Sequence, residues 1–120
     1  GQYLLQQLET RLDNVVYRLS FADSRRQARQ LVTHGHFLVG NRKTDIPSYQ
    51  VRPGDVISWK ESHKSKEYVK GMIIDLPKRP VPEWLDLDTE HLKATVRRVP
   101  NDEELDSTIA TRLIVEFYSR

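Results

Sequence analysis

Helical periodicity governs this chain as far as Gly35 and strand periodicity takes over after it, and that switch constrains the fold more than any other feature. Leu4, Leu5, Leu8, Leu12, Val15, Val16 and Leu19 keep the three-, four- and seven-residue spacing of one helix face. The pattern is compatible with one helix over residues 3–19 or with two, broken near Thr10. Asp23-Ser24 then offers an N-cap, and Ser24 followed three residues later by Gln27 is the sequence form of a capping box. The helix it starts is predicted to reach Thr33 and to stop at Gly35, a residue suited to the left-handed position past a helix end.

Beyond His36 the segments shorten. Phe37-Leu38-Val39, Gly40-Asn41 and a run ending at Ile46 read as a hairpin with a tight turn, which Pro47-Ser48 breaks. A short strand is predicted around Tyr49–Val51, and the turn Pro53-Gly54-Asp55 leads into a strand at Val56-Ile57-Ser58-Trp59. Residues 67–76 read as a helix, and Pro77, Pro80 and Pro82 as a stiff connector. Leu92, Ala94 and Val96 alternate as in a strand. At the end, Ile109, Ala110, Leu113, Ile114 and Phe117 have helical spacing while Leu113-Ile114-Val115 favours a strand; the helix is the preferred expectation. The class is α+β: a two-helix pair packed on a small antiparallel sheet, with a C-terminal appendage. Two parts are expected, a module with its leading helix over residues 1–80 and an extension over 81–120.

Charge separates the same two parts. Residues 1–80 hold 14 Lys/Arg against 8 Asp/Glu, and residues 81–120 hold 5 against 9. The basic part suits a polyanion partner, because each phosphate it neutralises releases condensed counterions. There are no cysteines, which rules out disulfides and thiolate-ligated metal within these residues. No apolar run approaches the ~20 residues of a membrane-spanning helix, so no membrane partner is expected. A chain that opens on Gly1 with a helical pattern under way by Leu4 reads as a piece cut from a longer one.

The basic residues are also patterned. On the wheel of the second helix, Ala28, Leu31 and Val32 share the core side, opposite Arg26, Arg29, Gln30 and Thr33, with Arg25 at the edge. On the first, Arg11, Asn14 and Arg18 lie away from the apolar face. Two readings stay open from spacing alone: a polyanion-binding face, or a solvated surface laced by Glu9, Asp13 and Asp23. Five arginines without a lysine in this stretch favour the first, since the planar guanidinium donates two parallel hydrogen bonds to phosphate. His34 and His36 flank the helix end, and Lys43 follows the next turn; all three join the candidate set. Tyr17 is the aromatic expected to meet a base or ribose, whereas Phe37 and Trp59 belong to core strands.

The stretch RLDNVVYRLSFADSRRQARQLVTHGHFLV (11–39) closely resembles the RNA-binding module of the ribosomal small-subunit protein four family. GNRKTDIPSYQVRPGDVI (40–57) and LIVEFYSR (113–120) resemble it too, and they are more specific than the module, which recurs in pseudouridine synthases and tyrosyl-tRNA synthetases. Ser20 stands where that family usually has glycine, and Gly40-Asn41 replaces the commoner Asn-Gly. The resemblance implies that Arg11, Arg18, Arg25, Arg26, Arg29, His34 and His36 lie on folded small-subunit ribosomal RNA. It also implies early binding in ribosome assembly and contact with small-subunit ribosomal protein five, for which the acidic C-terminal part is the candidate surface.

No enzymatic function is expected. His34-x-His36 has no third ligand at metal spacing, and Asp86, Asp88 and Asp102-Glu103-Glu104 show no positioned base or apolar pocket, so no catalytic residue, metal or cofactor is assigned. The expected function is structural: binding ribosomal RNA in the cytoplasmic ribosome. The alternatives are the RNA-gripping module of a modifying enzyme and a protein-interaction domain. The apolar ending Leu113-Ile114-Val115, with Phe117 and Tyr118, is expected to fold back near Tyr3-Leu4-Leu5.

Overall fold

The computed structural model describes residues 2–63, 69–71 and 76–105. The apolar stripe of the first segment forms two helices, α1 (Gln2–Glu9) and α2 (Leu12–Arg18). The break lies at Arg11, whose backbone is extended (φ −65°, ψ 143°). Its cause is a distant segment. Residues 47–51, expected in part as a sheet strand, run alongside the break instead: Leu12 N donates to Tyr49 O (2.8 Å), Val51 N to Thr10 O (2.9 Å) and Asp13 N to Pro47 O (3.1 Å). Arg11 and Gln50 form an isolated antiparallel bridge. Backbone groups freed by the broken helix thus find partners across the chain, as buried polar groups require.

The third helix, α3 (Arg25–Thr33), starts at a side-chain cap: Ser24 Oγ accepts from Gln27 N (3.1 Å). The return arm of the capping box lands one residue early, with Asp23 N donating to Gln27 Oε1 (2.6 Å). Helices α2 and α3 end alike. Phe21 N donates to Val16 O and Ser20 N to Tyr17 O; His36 N donates to Leu31 O and Gly35 N to Val32 O. Each is a Schellman motif, whose penultimate residue must be left-handed. That residue is Gly35 (φ +77°) after α3, but Ser20 (φ +65°) after α2.

Five antiparallel strands, β1 (Phe37–Val39), β2 (Arg42–Lys43), β3 (Val56–Trp59), β4 (Leu85–Asp88) and β5 (Lys93–Val96), form one sheet in the order β2-β1-β3-β5-β4. The hairpin strand predicted to reach Ile46 pairs only through Arg42 and Lys43, with Val39 opposite Arg42 across the Gly40-Asn41 turn. Strand β5 matches the predicted alternation, while β4, with its Leu-Asp-Leu-Asp sequence, was not anticipated. Ile57 pairs with Ala94 and Leu87 with Ala94, so the segment beyond residue 81 shares a hydrogen-bonded ladder with the basic half. Residues 69–71 are helical; the rest of the helix expected over 67–76 lies outside the described residues except Leu76, which is not helical. The predicted terminal helix and its fold-back also lie outside them.

Side chains of α2, α3 and one sheet face form the core, where Leu12, Val15, Val16, Leu19, Val32 and Ile57 are fully buried. Phe21, Phe37 and Trp59 cluster with ring centroids 4.6–6.1 Å apart. Trp84, Leu85 and Val96 extend the same core beneath β4 and β5.

Candidate nucleic-acid interface

Helix α3 divides as its sequence dictates. Ala28, Leu31 and Val32 are buried, whereas Arg26, Arg29, Gln30 and Thr33 are exposed. The Ser24 cap and the Gly35 stop fix the helix ends, so these four side chains stand on a rigid surface. His34 is exposed just past the last turn. Lys43 joins the group from β2: a Cβ built on Gly35 would lie 2.6 Å from Lys43 Cε and 3.2 Å from Nζ. The lysine stem therefore crosses the α3 C-terminus, where a cation is favoured by the exposed carbonyls. Among the described residues, Arg26, Arg29 and Lys43 enter no ion pair.

The predicted stripe on the first helices does not face solvent. Arg18 makes a two-pronged ion pair with Glu9 (Nε–Oε1 2.8 Å, Nη2–Oε2 3.3 Å), and the two side chains are only 13% and 8% exposed. Arg11 grips Asp13 in the same way, with both bonds at 3.1 Å. Asn14 is fully buried; its amide donates to Glu9 O (2.6 Å) and its carbonyl accepts from Arg25 Nε (3.4 Å). The physical reason is the break at Arg11, which turns Glu9 and Asp13 inward and makes the arginines their counterions. Withdrawing Arg18 towards a phosphate would strand a buried carboxylate, which is strongly unfavourable. The arginines of this helix are thus paired with Glu9 and Asp13, as the second reading had it, but as nearly buried ion pairs and not on a solvated surface.

Two further expectations are corrected. Tyr17 is half-buried and carries the guanidinium of Arg25 at 4.5 Å and that of Arg79 at 4.1 Å from its ring centroid, so the ring is already engaged by two cations of the protein. His36 is buried rather than presented, with its ring 5.8 Å from that of Trp59. Its Nδ1 lies 2.9 Å from Nδ1 of His63, a pairing that sequence spacing did not suggest. Such a contact needs complementary tautomers, one ring donating and one accepting. Among the described residues no group of three or more His, Asp or Glu side chains is placed to hold a metal.

Two of the carboxylates set aside by sequence, Glu104 and Asp88, have structural partners. Glu104 and Asn101 cap each other through reciprocal 2.9 Å bonds, and Arg98 pairs with Glu104 at 2.7 Å. Burial pushes the Glu104 carboxyl up, but the Arg98 and Asn101 hydrogen bonds outweigh it and hold the group below the ordinary carboxylate range. Asp88 accepts from the Glu90 and His91 amides and pairs with the His91 ring. Arg79, which no sequence signal singles out, reaches the turn before α3 from the proline connector, about sixty residues away along the chain.

The S4 domain matches residues 10–57, which span α2, α3 and β1 to the start of β3. Over its whole length the chain is similar to proteins named small ribosomal subunit protein uS4. It is 53% identical to that of Persephonella marina over 119 residues, covering 99% of this chain and 58% of the relative. It is 52% identical to uS4A of Symbiobacterium thermophilum over 120 residues, covering 100% and 58%, and 51% identical to uS4 of Aquifex aeolicus over 122 residues, with the same two coverages. The chain thus spans somewhat over half the length of these relatives.

Proposed function

The chain belongs to the small ribosomal subunit protein uS4 family, and from that premise we propose that it binds folded small-subunit ribosomal RNA as a non-catalytic component of the ribosome. One observation carries the reading: Arg26 and Arg29 stand exposed on a rigid helix with no internal counterion among the described residues, beside His34 and Lys43. Arginine ion pairs elsewhere in the helical region are satisfied within the protein, so this face holds the cations free to meet phosphate. Contacts of this kind fix backbone geometry and position a protein on structured RNA without reading base edges. Gln30 and Thr33 add short polar side chains to the same face, although the Thr33 hydroxyl already donates to Arg29 O (2.7 Å).

Early entry into assembly, a place in the cytoplasmic ribosome and contact with small-subunit ribosomal protein five form part of the proposal. Their support is the resemblance over the full chain, together with the acidic character of residues 81–120 as a surface distinct from the basic one. The test is a fluorescence-anisotropy titration with a small-subunit ribosomal RNA transcript at several salt concentrations. Two to four phosphate contacts predict that log K falls against log[salt] with a slope of about −1.5 to −3.5. Binding that ignores salt would contradict a phosphate-binding face.

A further inference from the structure

We propose that Arg79 is a positioning residue for the RNA face: it locks the α2–α3 turn and, through Tyr17, holds Arg25 and the start of α3 in place. This inference rests on the RNA-binding reading above. Four contacts converge on the turn from the connector. Arg79 Nη2 donates to Tyr17 O (2.7 Å) and to Ala22 O (2.6 Å), bridging the last turn of α2 to the residues just before the α3 cap. Arg79 N donates to Ser20 Oγ (3.3 Å), the left-handed residue of the turn. Lys78 Nζ pairs with Asp23 Oδ1 (3.2 Å), beside the Ser24 cap.

The Tyr17 ring transmits this hold. Its centroid lies 4.1 Å from the Arg79 guanidinium carbon and 4.5 Å from that of Arg25. Arg79 and Arg25 thus share the one ring, and Arg25 is also tied to Asn14 at 3.4 Å. Arg25 is the first residue of α3, so its position sets where Arg26 and Arg29 begin their turns. Arg79 itself is half-buried, and its guanidinium is committed to two carbonyls and a ring. Arginine suits this place because its guanidinium lies over the ring while the terminal Nη2 reaches both carbonyls; a lysine side chain is one bond shorter and its ammonium has no plane to stack.

The experiment uses the full chain and a small-subunit ribosomal RNA transcript, at a temperature where circular dichroism shows each variant fully folded. R79K should bind as weakly as R79A, each about tenfold below the parent, because coupled neighbours exchange energies of this order. R79K keeps the charge, so parental affinity in R79K would overturn the proposal. R26A separates the two levels of the argument. If R26A binds like the parent, the RNA-binding reading itself fails; if R26A is weakened and R79K is not, only the positioning role fails. The parent protein supplies a measurement that needs no variant. On adding RNA, the Arg79 Nε–H resonance should stay in place while those of Arg26 and Arg29 move. An Arg79 resonance that moves with them would make it a direct contact and contradict the assignment.

Discussion

Helices α2 and α3 are successive, short and rich in arginine, yet they spend that arginine in opposite ways. In α2 and its N-cap, Arg18 and Arg11 are held by Glu9 and Asp13, whose side chains are 8% and 2% exposed. On α3, Arg26 and Arg29 project into solvent. The difference does not lie in the wheel, on which both sets sit opposite apolar residues. It lies in the chain break before α2, which brings acidic side chains under the arginines, whereas a cap and a glycine stop leave the α3 surface clear. A basic stripe becomes a binding face only when the fold supplies no internal anion for it.

The largest effect that would sharpen this contrast is on stability. Arg18→Ala removes one partner of a nearly buried ion pair and should lower the unfolding free energy by about 3 kcal/mol. Chemical denaturation measures it directly. A loss below 1 kcal/mol would mean that Arg18 is exchangeable with solvent after all, and the contrast would collapse.

The helix ends come next. Gly35→Ala places a side chain at φ +77° and pushes on Lys43, and it should cost about 1–2 kcal/mol. Ser20→Gly relieves the matching strain after α2 and should add up to about 1 kcal/mol, less whatever is lost with the hydroxyl that accepts from Arg79 N. Thermal melts of both variants test whether the two stops are equivalent. Opposite signs are the expected result, and a destabilised Ser20→Gly would show that the Ser20–Arg79 bond outweighs the backbone strain.

The smallest effect concerns a third kind of ion pair. Arg98 and Glu104 are 42% and 26% exposed, so solvent screening leaves the pair only a small share in stability. Because the folded-state pKa of Glu104 is lowered, its contribution is present above the ordinary glutamate pKa and is lost as pH falls through the folded value. Comparing Glu104→Gln with the parent across that acidic range should show a small difference at neutral pH that vanishes in acid. A difference that grows on acidification would reverse the assigned sign.

Much of this was legible in the sequence, and what was not has physical reasons. Helix α3 could be read from end to end because its signals are local: a serine cap, three apolar residues on one side and a glycine stop. The core roles of Phe37 and Trp59 followed from strand alternation in the same way. The break at Arg11 could not be fixed, because its cause is residues 47–51 pairing across the chain. The burial of Arg11, Asn14 and Arg18 followed from that break and was hidden with it. Strand β4 was missed because Asp86 and Asp88 dilute its apolar alternation, and its pairing with β5 supplies what its composition does not. Tyr17 was read as exposed because Arg79, which covers one face of its ring, is remote in sequence. The one local warning was Ser20 in place of glycine, and it marks the turn that Arg79 secures.

The central claim is that Arg26 and Arg29 meet phosphate while Arg18 does not, and the salt dependence of RNA binding tests it most directly. Affinity for a small-subunit ribosomal RNA transcript should be measured across salt for R26A, R29A and R18A, each at a temperature where it is folded. R26A and R29A should each flatten the slope by about one contact and weaken binding at every salt concentration, while R18A keeps the parental slope. A slope lowered by R18A and untouched by R26A and R29A would place the RNA on the other helix and contradict the account.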